Sequence, residues 1–136
     1  MDLVMDANIA ISAIISTEGK TCDLLFSDSL ELYAPEFLLE ELEEHKNEIV
    51  EKSKLTDVEF ETAFSFVFSN VTLIPFEEFK KFIKKAGKIT PDEGDIEYFA
   101  LALKLGCPIW SNDKKLQKQK YVQIISTSEL LELLKK

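Results

Sequence analysis

Apolar residues gather in five strand-length runs, at residues 2–5, Leu30–Ala34, Val71–Pro75, Pro108–Ser111 and Tyr121–Ile125. Each is short enough to cross a sheet once. Between them the apolar positions recur at helical spacing, over roughly 7–15, 20–28, 35–51, 56–69, 76–86, 91–105 and 127–135. Strands that alternate with helices predict an α/β fold, a parallel sheet covered by helices on both faces.

The clearest break in the pattern is Gly87–Pro91, where Thr90, Pro91 and Glu93 fit an N-cap, a first helical position and the acid of a capping box. A helix is therefore predicted to start at about Pro91. No repeat and no Gly/Ser- or Pro-rich linker divides the 136 residues, so one domain spanning 1–136 is expected.

Hydrophobic residues at 46% and charged residues at 30% describe an ordinary folded protein rather than a disordered one. The apolar opening MDLVMDANIAISAIIS lacks a basic leading segment and is interrupted by Asp2, Asp6 and Asn8. It reads as a buried strand and a helix, neither signal peptide nor membrane span, which points to a cytoplasmic protein with no membrane partner. Cys22 and Cys107 have no companions at zinc-site spacing and read as reduced thiols in or near the core. The net charge of -9 argues against generic electrostatic binding of nucleic acid. A carboxylate cluster that takes up divalent cations would offset it locally, with Lys114, Lys115, Lys118 and Lys120 able to hold phosphates beside it.

In open parallel sheets ligands bind beyond the carboxyl ends of the strands. Asp6 ends the first apolar run and Asp113 follows the fourth, so both are expected at that edge. On the predicted helix 35–51 the apolar stripe runs through Leu38, Leu42, His45 and Ile49, and Glu41 borders it in the first turns. On the helix predicted from Pro91, Asp95 lines up with Phe99 and Ala102, while Asp92 sits at the extreme N-terminus, where an acid also suits the helix dipole. Taken singly, each acid reads equally well as a turn former or a solvated charge. Four at one edge repel one another unless a cation or proton intervenes, and together they make a candidate metal site.

The segments LVMDANIAISAI, LYAPEFLLEELEEH, DIEYFALALKLGCPIW and SNDKKL resemble, in order and spacing, the PIN-domain family of nucleases over essentially the whole chain. The resemblance implies a three-layer α/β/α sandwich with a central parallel sheet of about five strands, and metal-dependent cleavage of RNA. It places the family's four acids on Asp6, Glu41, Asp95 and Asp113, with Asn8 and Ser111 as polar supports; the helical face alone, not the resemblance, holds Asp92 in reserve. It also implies a choice between a VapC-like toxin, held by a small antitoxin protein and often homodimeric, and a stand-alone nuclease.

Acids without His or Cys suit Mg²⁺ or Mn²⁺ better than zinc. On this reading Asp6, Asp95 and Asp113 are the metal ligands, and Glu41 binds a second ion or orients the attacking water. His45, the sole histidine, reads as packed at the core edge rather than as a base. Phe66, off the stripe of Phe60, Phe64 and Phe68, marks either core packing or a contact with a second copy or an antitoxin. Three other readings compete. A phosphoacceptor receiver domain needs an Asp after the third strand, where VTLIPF has none. A haloacid-dehalogenase-type phosphatase needs an Asp where Asn8 stands. The third is a PIN-like scaffold that has lost cleavage.

Overall fold

The structure, a computed structural model, describes residues 1–135. In chain order it contains β1 (Asp2–Met5), α1 (Ala7–Ile15), α2 (Lys20–Leu25), β2 (Glu31–Pro35), α3 (Phe37–Glu44), α4 (Lys46–Ser53), α5 (Asp57–Phe68) and β3 (Val71–Ile74). There follow α6 (Ile83–Ile89), α7 (Ile96–Leu105), β4 (Ile109–Trp110), β5 (Ile124–Ile125) and α8 (Thr127–Leu134).

All strand pairs are parallel and the sheet order is β3-β2-β1-β4-β5. Crossovers between parallel strands are right-handed. The steps β1 to β2 to β3 run in one direction and lay α1 to α5 on one face. The return from β3 to β4 reverses direction and lays α6 and α7 on the other, which gives the α/β/α sandwich. This order also differs from the 2-1-3-4-5 of receiver-type sheets, and that rival falls.

Leu3, Val4 and Met5 of β1 and Ile109 and Trp110 of β4 have no exposed surface, as expected for strands covered on both sides. Trp110 keeps its indole N–H satisfied by donating to Thr127 Oγ1 at 3.1 Å. Two helices begin with full capping boxes, Thr56 with Glu59 for α5 and Ser126 with Glu129 for α8. α7 ends at Gly106, whose φ of +65° is left-handed and costs a glycine little.

Five details depart from the sequence pattern. The helix expected over 35–51 breaks at His45 (φ −98°, ψ 5°). Uninterrupted, it would aim the imidazole at the core along with Leu42 and Ile49; the break frees the ring to solvent, where Nδ1 lies 3.5 Å from Glu48. His45 is thus exposed rather than packed at the core edge. The stretch expected as a helix over 76–86 begins as two 3-10 turns, Phe76–Glu78 and Lys80–Phe82. Phe76, Phe79 and Phe82 recur every three residues, the 3-10 period, and Phe79 is fully buried.

Nor does a helix start at Pro91. Thr90 instead closes α6, its hydroxyl donating to the Ala86 carbonyl at 2.5 Å, and so is lost as an N-cap. Asp92 caps a 3-10 turn, Glu93–Asp95, and α7 follows with Asp95 as its N-cap residue. The strands after α7 are shorter than the apolar runs 108–111 and 121–125, and the helix expected over 20–28 stops at Leu25.

Candidate active site

The β1–β4 register builds the centre of the site. Met5 pairs with Trp110, and the Asp6 N–H extends the ladder to the Trp110 carbonyl at 3.2 Å, which sets Asp6 beside Ser111. The strand order changes direction between these two strands, so their carboxyl ends flank a crevice. Asp6 Oδ1 accepts from the Asn8 N–H at 3.0 Å and caps α1. The Ser111 hydroxyl donates to Asp6 Oδ2, while Ser111 Oγ accepts from the Asp113 N–H at 3.1 Å. Asp113 in turn caps the 3-10 turn Lys114–Lys118, its Oδ1 accepting from the Lys115 N–H at 3.0 Å.

Asp6 is 5% exposed and Ser111 fully buried. Burial pushes the Asp6 carboxyl above its usual range; the bonds from Ser111 and Asn8 pull it back, and the charge of Asp113 adds to the rise. Asn8 serves here through its backbone, and its side chain is exposed.

Glu41 arrives on α3, the helix that leaves β2. Its Oε1 accepts from the Tyr98 hydroxyl at 2.5 Å. Burial raises the Glu41 carboxyl, the Tyr98 bond opposes that, and the Asp6 charge reinforces it. Asp95 is the most perturbed acid. Burial first, then the charges of Asp6, Asp92, Asp113 and Glu41, push it up to about 7. The structure thus brings Asp6, Glu41, Asp95 and Asp113 close enough for their charges to interact, with Asp92 on the margin. Among the described residues none of these carboxylates pairs with a lysine or histidine.

Among the described residues no three His, Cys, Asp or Glu side chains form a ready-made metal cage. Mg²⁺ needs none, because it keeps several waters and takes only one or two carboxylates directly. An all-oxygen donor set, half-buried and mutually repelling, fits a hard divalent cation. Cys22 and Cys107 are free thiols, and burial pushes Cys107 up to about 11, so neither offers a thiolate.

Tyr98 is absent from the residues that the sequence singles out. Its signal is there: it stands three residues after Asp95, hence on the same side of α7, inside an apolar run where a tyrosine hydroxyl needs a partner. Burial and the Glu41 charge push its own ionisation well above the usual range, so it stays a donor.

The PIN domain family matches the chain over residues 4–134. No curated protein matches its sequence. Among solved structures, VapBC2 from Rickettsia felis, bound to a DNA fragment from their promoter, is similar at a TM-score of 0.68 and 12% identity, over 93% of this chain and 98% of that one. At so low an identity the likeness speaks to the fold.

Proposed function

The chain belongs to the PIN-domain family, and from that premise we propose that it is a Mg²⁺- or Mn²⁺-dependent ribonuclease that hydrolyses RNA phosphodiester bonds, with Asp6, Glu41, Asp95 and Asp113 as its catalytic acids. The observation that carries this reading is Asp95. A carboxyl pushed up to about 7 by burial first and then by four neighbouring acids, none of which is ion-paired among the described residues, is a site that gains by taking up a divalent ion.

Asp6, Asp95 and Asp113 would hold one ion, directly or through its water. When bound, it supplies a water of lowered pKa and stabilises charge on the scissile phosphate. Glu41, fixed by Tyr98, has Oε2 left to orient the attacking water or to hold a second ion. Ser111 keeps Asp6 aimed by donating to one of its oxygens. Asp95, pushed up to about 7, would have to be deprotonated to serve as a ligand.

The fold of VapBC2 supports a further part of the proposal, that this chain is a toxin restrained by a small antitoxin protein. The exposed Phe66, stacked on Phe26 with ring centroids 4.3 Å apart, suits contact with that partner or a second copy in a homodimer. No helix among the described residues is long and apolar enough to cross a membrane.

The test is cleavage of single-stranded RNA in Mn²⁺ by the parent chain, Asp6→Asn and Asp95→Asn. Both variants should lose cleavage while circular dichroism stays native, since an asparagine in place of Asp6 can still cap α1. Variants that cut as well as the parent refute the assignment.

A further inference from the structure

The net charge conceals a segregation. All 16 cationic side chains are lysines, and nine of them fall in the windows 80–88 and 114–120, which contain no acid. The rest of the chain sets seven lysines against all 25 acidic residues. All nine lysines are exposed, and among the described residues only Lys80 pairs with a carboxylate, Glu77, at 2.7 Å. Crowded, unpaired lysines repel one another and add nothing to the core, so an anion is their natural partner.

Both windows are joined to the acid cluster. The second starts directly after Asp113, whose carboxylate accepts from the Lys115 N–H. The first covers the 3-10 turn Lys80–Phe82 and α6, whose last turn carries Lys88 and leads through Thr90 to Asp92 and Asp95. α6 packs on α7, the helix that Asp95 opens. At about 1.5 Å per helical residue, Lys81 and Lys88 stand about 10 Å apart along this flank. That spread suits a run of phosphates rather than one anion.

We propose that Lys81, Lys84, Lys85 and Lys88 on one flank, and Lys114 and Lys115 on the other, form a two-sided track for the phosphate backbone of single-stranded RNA, which they hold across the carboxylate cluster. This rests on the ribonuclease reading, and it explains how a chain of charge -9 can engage a polyanion. At the centre, where the clustered acids would repel the substrate, a divalent ion is due, and the lysines draw the backbone in on both sides. Lysines that contact backbone alone carry no base selectivity, so the track is general and any sequence preference is decided at the centre.

The experiment uses the full chain and a fluorescein-labelled single-stranded oligoribonucleotide, with anisotropy read in EDTA at increasing salt. The triple variant K84Q/K85Q/K88Q should weaken binding at low salt at least tenfold and flatten the log K against log salt slope by about 2, at about 0.7 per lysine lost. K114Q/K115Q should flatten it by about 1.4 on the same rule, and the distant pair K20Q/K104Q should leave it unchanged. In Mn²⁺ cleavage assays the loss in the first two variants should fall on KM.

Binding with the parent's affinity and salt slope in both flank variants, with native circular dichroism, overturns the track. If those variants also cut like the parent, the ribonuclease reading stands without it. Lysine-dependent binding by a parent that never cuts in Mn²⁺ keeps the track and removes the nuclease. Capture of polyglutamate but not RNA assigns the lysines to an acidic protein partner and overturns the proposal.

Discussion

Replacing Asp95 by asparagine should make the metal-free protein more stable while making it inactive. The Asp95 carboxyl rises from its ordinary 3.8 to about 7. At about 1.4 kcal/mol per pH decade this amounts to about 4 kcal/mol of folded-state penalty, and solvent screening of a half-exposed group cuts it to about 1–2 kcal/mol. The folded-state value lies above the unfolded one, so the folded chain binds more protons between about pH 4 and pH 7. Stability therefore falls as pH rises through that window, and the penalty is fully present above it. The substituted amide carries no charge at any pH. Urea titrations in EDTA, followed by the fluorescence of the single, fully buried Trp110, should show the variant ahead by about 1–2 kcal/mol at pH 8, with the gap closing toward pH 4. Added Mn²⁺ should stabilise the parent and leave the variant unmoved. A variant weaker than its parent at pH 8, or a gap independent of pH, would refute the idea that burial and the neighbouring acids together burden the Asp95 carboxylate.

Tyr98→Phe keeps the buried ring and removes the donor to Glu41. Mn²⁺-dependent cleavage should fall about 10- to 100-fold, the usual cost of losing a supporting hydrogen bond behind a metal site, with circular dichroism unchanged. Ser111→Ala strands Asp6 Oδ2 and the Asp113 N–H together. It should cost about 1–3 kcal/mol in chemical denaturation, and a neutral result would mean the hydroxyl is dispensable. Gly106→Ala meets no steric neighbour but must hold a φ of +65°. It should lose about 1–2 kcal/mol of stability, read as a lowered Tm, from left-handed backbone strain alone.

Where short-range chemistry decides, the sequence can be read. Each of the five apolar runs overlaps a strand, and Asp6 and Asp113 follow β1 and β4 beyond their tips. The helix breaks are hidden because they answer to the core, not to propensity. At His45 a polar ring on an apolar stripe forces a kink, and at Thr90 a hydroxyl chooses the carbonyl behind it over the amides ahead. Asp95 shows how a right residue can be reached through a wrong element: the pattern puts it inside a helix begun at Pro91, yet it stands at the N-cap of one begun at Ile96. The Tyr98–Glu41 contact joins residues 57 apart and emerges only once α3 and α7 are docked.

That contact ties a side chain from above the sheet to one from below, across the rim where the strands end. Mild heat or dilute denaturant that lets either layer breathe would release the clasp before the core gives way. Inactivation should then run ahead of melting, so that a warmed sample falls silent while its spectrum still looks native.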